Sequence, residues 1–214
     1  MKMKNNIFKT KSFWMSVVLC LIPFVLSAVF YDKMPDMVAT HFGFDNQPDN
    51  YSPKWIAAFL IPLIMLAANV VTWFAINAEP KRQGINKHIK HVILWMVPIL
   101  SVIVQCIIIM YSVSGVNLVS FVPLMIGVLF MVMGNYLPKC RHNYTMGIKL
   151  PWTLASEENW NKTHRMAGRV WIIGGIVITL YTFFNMHYIL FLAVIAMMVI
   201  IPAVYSYILY KQEL

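Results

Sequence analysis

Two sets of residues have types and spacing that could do chemistry. His41, Asp45 and Asp49 recur every four residues. On a helix that interval would put an imidazole and two carboxylates on one face, a donor set that suits zinc. Glu157, Glu158 and His164 offer carboxylates and an imidazole close together, the pieces of a general acid and base. Both sets have simpler readings. Gly43 and Pro48 interrupt the first stretch, so its four-residue spacing loses its helical meaning. The second has no nucleophile or metal-ligand pattern beside it. Negative charge capping a helix start, followed by an interfacial histidine, accounts for it. Cys20, Cys106 and Cys140 form no Cys-x-x-Cys pair and no disulfide framework. Cys140 lies between Lys139 and Arg141, where a thiolate would be favoured, but an ordinary free thiol is the simpler assignment. We therefore expect no catalytic residue, no metal ligand and no cofactor.

The elements that must position these residues are hydrophobic. The 214-residue chain is 60% hydrophobic and 12% charged, against about 25% charged in soluble domains. The apolar residues fall into six runs: 12–31, 55–77, 92–111, 118–137, 170–185 and 188–210. Each is near the ~20 residues needed to cross hydrocarbon as a helix. A soluble helical protein would have to bury six helices that are apolar all round. The fold class expected is an all-α polytopic membrane protein with six transmembrane helices.

The net charge of +9 invites a nucleic-acid reading, which its placement excludes. Fifteen of the 17 Lys and Arg residues lie before the first run, between the second and third, between the fourth and fifth, or after the sixth. Only Lys33 and Lys54 fall on the other side, with Asp32, Asp36, Asp45 and Asp49. The positive-inside rule then makes both termini cytoplasmic in the cell membrane. We expect two regions. Residues 1–90 form a two-helix part with an extracellular loop at about 32–54. Residues 91–214 form a four-helix part with a cytoplasmic loop at about 138–169.

Pro23, Pro62, Pro98, Pro123 and Pro202 are expected near the middle of spans, where neighbouring helices must satisfy the carbonyls they free. Asn69, Thr72 and Gln105 should face other helices. No Asp, Glu, Lys or Arg lies mid-span, which disfavours a transporter. The outer loop is rich in Pro, Gly, Asn and Asp. Met37–Phe42 suits a short strand, 44–50 a turn, and Phe42, Phe44, Tyr51 and Trp55 an aromatic cap or peptide-binding surface. The basic loop 78–91 should lie against anionic headgroups.

The candidate functional segment runs from Gly134 to Gly168. Gly134-Asn135 and Pro138 end the fourth span. Gly147 and Pro151 break the following stretch, and Trp152 suits the membrane interface. Ser156 is a helix N-cap. Glu157 and Glu158 complement the helix dipole, and Glu158–Lys162 is an i,i+4 pair. The helix should run through Gly168 into the fifth span, with Trp160, His164 and Trp171 roughly on one face.

These residues resemble a known signature. Gly134, Asn135, Pro138, Asn143, Gly147-Ile148-Lys149-Leu150-Pro151-Trp152-Thr153-Leu154, Ser156-Glu157, Trp160 and Lys162-Thr163-His164-Arg165 are similar to the motif of the SdpI family of bacterial membrane proteins. Lys149-Leu150 stands where the family has Arg-Thr, and a lysine would not reproduce a bidentate arginine contact. Met34-Pro35, His41-Phe42, Pro48-Asp49 and Tyr51-Ser52 resemble the uncharacterised domain that often precedes it. The resemblance implies immunity to a secreted antimicrobial peptide toxin met outside. It also implies a sensor that holds a small repressor protein inside, without contacting nucleic acid directly. The alternatives are an enzyme at the membrane interface and, behind it, a small-solute transporter.

Overall fold

The computed structural model describes residues 7–43, 45–78, 87–184 and 188–212. Among the described residues, six helical segments are long and apolar enough to cross a membrane: Lys11–Lys33, Ile56–Ala78, Ile89–Ser114, Val119–Lys139, Glu157–Phe184 and Tyr188–Gln212. Only 11 to 39% of each apolar window is buried inside the protein. Side chains such as Val29, 66% exposed, and Ile173, 63% exposed, need lipid to cover them. The chain is a multi-pass membrane protein.

The contacts divide it into two units. The first holds α1 (Lys11–Phe30), a hairpin of β1 (Met37–Phe42) and β2 (Pro48–Pro53), α2 (Ile61–Ala78) and most of α3 (Lys87–Ser114). The third helix therefore groups with the first two.

The hairpin's first strand lies where the residues suggest one. Its second, Pro-Asp-Asn-Tyr-Ser-Pro, has no strand-forming pattern. A two-stranded hairpin is marginal alone, and here packing holds it. Met34 and Val38 are buried with Ala57, Ala58 and Ile108, flanked by Tyr31, Ile61, Val104 and Val113. Met34 and Val38 lie beyond the helical spans, and burying such a side chain away from water contributes roughly 1.5–3 kcal/mol. Phe42 meets Tyr111 edge-on at 5.0 Å. Asn117 donates to the turn carbonyl of Asn46 at 2.8 Å, and Lys54 pairs with Asp36 at 3.0 Å.

Proline placement differs from expectation in two helices. Pro123 sits in the first turn of α4, where its missing N–H costs nothing. Pro62 follows a π-helical turn, Ile56–Leu60, closed by Ile61 N–H on Ile56 O. The next carbonyl in that pattern, Ala57, would need the N–H of residue 62, which proline lacks. Gln105 supplies a donor from α3: Nε2 lies 3.2 Å from Ala57 O and 2.8 Å from Ser27 Oγ. Asn69 also faces inward, as expected, toward Ser16 at 3.1 Å. Thr72 instead bonds back to Ala68 O at 2.8 Å.

The second unit holds α4 (Val122–Tyr136), a short α5 (Pro151–Ala155), α6 (Glu157–Phe184) and α7 (Tyr188–Gln212). α4 and α6 touch backbone to backbone at two glycine pairs. A Cβ on Gly134 would lie 2.8 Å from Gly168 O, and one on Gly175 would lie 2.6 Å from Gly127 O. Such approach between membrane helices requires small residues. α7 packs Val194 and Met198 on Ile178. Trp171 reaches from α6 to Met198 O at 3.0 Å. Most of the basic loop 78–91, Phe44 and the link between α6 and α7 lie outside the described residues.

Candidate functional site

The segment between α4 and the apolar part of α6 is a folded cap built on the first turns of α6. Its base is a stacked ring pair. Trp160 and His164, one turn apart, lie 4.0 Å between centroids at 21°, and both are buried. Trp160 Nε1 donates to Cys140 O at 2.8 Å. His164 Nδ1 lies 2.8 Å from Trp160 O, and Ile148 N–H donates to Nε2 at 2.9 Å. One nitrogen faces an acceptor and the other a donor, so this is the neutral Nδ1–H tautomer. Neither nitrogen is left for proton transfer.

The loop crosses the rings closely enough to demand glycine. Gly147 has φ +112°, and a Cβ there would run into His164 Nε2 and sit 2.9 Å from the Trp160 ring. Just before it, Asn143 organises the turn. Its Oδ1 accepts N–H from Thr145 at 2.9 Å and Met146 at 2.7 Å. Its Nδ2 donates to Arg141 O at 2.8 Å and lies 3.3 Å from Cys140 Sγ. The buried amide thus ties a loop that has no regular ladder of its own. Cys140 is buried in this turn, which removes the reactive-thiol option.

The next joint is α5. Thr153 is fully buried; its Oγ1 accepts Leu150 N–H at 2.9 Å and lies 2.8 Å from Ile148 O. Trp152 Nε1 donates to Ser206 Oγ on α7 at 2.7 Å, and its ring meets Tyr207 and Tyr210. Ser156 caps α6 by accepting Asn159 N–H at 3.1 Å. Glu158 and Lys162 pair at 2.6 Å.

One participant, Asn159, was not singled out from the sequence, and Thr163 entered only within the signature run. Asn159 Nδ2 donates to Ser206 O at 2.9 Å, and Thr163 Oγ1 donates to Asn159 Oδ1 at 3.0 Å. The i,i+4 spacing of Asn159–Thr163 beside Trp160–His164 was the available signal. Both pairs belong to the inward face of α6.

The signature residues sort by exposure. Gly134, Asn143, Thr153, Trp160 and His164 are buried, and Trp152 and Ser156 are half-buried. Asn135, Pro138, Gly147, Lys149, Pro151, Glu157, Lys162 and Arg165 are exposed. Lys149 Nζ returns to Thr145 O at 3.2 Å. No hydrogen bond joins Glu157 or Glu158 to His164 among the described residues.

In the hairpin, His41 Nδ1 meets Asp49 Oδ1 at 2.5 Å across the strands. Asp45 instead accepts Gln47 N–H at 3.0 Å inside the turn. The three are not gathered into a metal-ligand group among the described residues. Pro35 and Tyr51 are exposed, and Phe42 is half-buried.

Comparison with known proteins agrees with this partition. Residues 18–66, from α1 through the hairpin into α2, match a domain of unknown function, DUF1648. Residues 139–206, the cap with α6 and most of α7, match the SdpI/YfhL protein family. The chain is 25% identical over 213 residues to the immunity protein SdpI of Bacillus subtilis (strain 168), covering 98% of each. No solved structure matches. The cap's buried framework thus coincides with the segment that is similar to the SdpI/YfhL protein family.

Proposed function

We propose that this protein is an integral membrane immunity protein that protects its cell from a secreted antimicrobial peptide toxin. The observation that carries the reading is similarity to an immunity protein over 98% of the chain. Both the hairpin-bearing region and the cap region are therefore shared. The geometry favours recognition over catalysis. His164, the best-placed titratable side chain of the cap, has both nitrogens occupied. The charge count supports the cell membrane with both termini in the cytoplasm, which puts the hairpin outside and the cap inside.

The cap also suits a second, linked role as a toxin sensor that holds a small repressor. It presents Lys139, Arg141, Lys149 and Arg165 to solvent on a framework continuous with α6, so displacement of that helix would displace the surface. The test is expression in a sensitive bacterium, with survival scored across a panel of membrane-active peptides. At least tenfold protection against one peptide is expected. Unchanged killing by all of them, with the protein inserted, overturns the reading. Arg141→Gln with Arg165→Gln should abolish capture of a cytoplasmic partner and leave resistance intact. Equal loss of both activities would show that the exposed cap is not a separate docking surface.

A further inference from the structure

The first unit encloses a polar seam inside apolar helices. α1 turns Ser16, Cys20, Pro23 and Ser27 inward. Asn69 and Trp73 approach from α2, and Gln105 from α3, which also buries Ser101. Each amide and indole nitrogen of this seam has a partner. Ser16 Oγ accepts Asn69 Nδ2–H and Trp73 Nε1–H, at 3.1 and 2.9 Å, and gives its own proton to Phe13 O at 2.7 Å. Gln105 Nε2 serves Ser27 Oγ and Ala57 O. Left without a partner among the described residues are Asn69 Oδ1, Gln105 Oε1 and Ser101 Oγ.

Turning the Gln105 amide over does not help. Its oxygen would then face Ala57 O, an acceptor against an acceptor. The carbonyl is therefore the end left unpaired. Ser101 is unusual in a second way. A serine in a membrane helix ordinarily donates back to its own helix, as Ser112 does to Ile108 O at 2.7 Å and Ser114 to Met110 O at 2.6 Å. Ser101, 2% exposed, makes no such bond. It stands one turn from Gln105, on the same side of α3, so their Cβ atoms are about 5–6 Å apart.

We propose that the first unit binds an ordered water molecule between Ser101 Oγ and Gln105 Oε1. The water donates to the Gln105 carbonyl and shares a hydrogen bond with the Ser101 hydroxyl. A buried polar site with several partners is where an internal water is held, and hydrocarbon offers these oxygens nothing else. A dehydrated monovalent cation is the competing occupant. The site lacks the charge to hold one: both oxygens are neutral, the polar side chains of the seam include no carboxylate, and the Gln105 NH2 group lies alongside. Asn69 Oδ1 belongs to the other end of the seam. It accompanies Ser16, eleven residues and about 16 Å along α1 from Ser27.

The test uses the full-length protein in zwitterionic nanodiscs. Pulsed X-ray footprinting in 18O-labelled water, read by mass spectrometry, marks side chains beside bound water. Label is expected in the stretch 98–110 of the unmodified protein, falling at least threefold in Ser101→Ala. Gln105→Met also loses the bond to Ala57 O and can fail to fold, so Ser101→Ala carries the comparison. No label in the unmodified protein overturns the proposal, as does label unchanged by Ser101→Ala. Melting in NaCl or KCl should match melting in choline chloride. A saturable, ion-specific rise would overturn water in favour of a cation.

Discussion

At the scale of residues, the cap is held by side chains whose polarity is spent internally. His164 links α6 to the loop and stacks on Trp160, so the two contributions can be separated. His164→Phe retains an aromatic ring but strands Ile148 N–H. A loss of about 1–3 kcal/mol in unfolding free energy is expected, read by thermal melting in detergent. Melting unchanged from the parent would show that Ile148 N–H finds another partner. Gly147 is constrained twice, by its positive φ and by the rings beneath it. Gly147→Ala should cost about 2 kcal/mol or more and make the 140–150 loop sensitive to limited proteolysis. Gly115 provides the contrast. It too has positive φ, +68°, but nothing lies within 4 Å of a Cβ there. It closes α3 through its N–H on Tyr111 O at 3.0 Å, so Gly115→Asn should shift stability by less than about 1 kcal/mol.

At the scale of elements, α4 and α6 act as one because glycine lets their backbones touch. In hydrocarbon there is no hydrophobic driving force between helices, so close packing carries more of the association. Gly168→Leu would drive a side chain into Gly134 O and Pro138, whose atoms lie 2.7 Å from a Cβ at that site. We expect it to prevent α4–α6 pairing, with the protein degraded or fully cleaved by added protease. Normal accumulation and melting would overturn this packing account. The cap sits directly on α6, and Trp152 ties α5 to Ser206 of α7. Thr153 belongs to the same frame, so its loss should damage folding before it damages any docking. Exposed Arg165 is the better probe of recognition.

At the scale of the whole molecule, the charge distribution predicts insertion topology. A C-terminal green fluorescent protein should glow and a C-terminal alkaline phosphatase should be inactive. A tag placed between Asp45 and Gln47 should be reached by antibody on intact cells. The reverse pattern would overturn the cytoplasmic assignment of the termini and, with it, the division into an outer hairpin and an inner cap.

Much of this was legible in the residues because local physics decided it. Apolar run length determined six spans, since backbone groups in lipid must be paired within a helix. Ser156, with Glu157 and Glu158, announced the start of α6, and the Glu158–Lys162 pair followed from helical spacing alone. Only the tertiary structure decided the rest. β2 has no strand pattern and exists because β1 and the helices beneath it supply partners. Gly43 and Pro48 had already denied His41, Asp45 and Asp49 a shared helix face; the hairpin register decided that His41 meets Asp49 while Asp45 turns into the loop. Asn143, Thr153 and His164 look alike in sequence to exposed Lys149 and Arg165, all being polar residues in one motif. Which are framework and which are surface depends on where the loop crosses Trp160, a contact between residues far apart along the chain. Gln105 makes the same point within the first unit, since its partner carbonyl is freed by a proline 43 positions earlier.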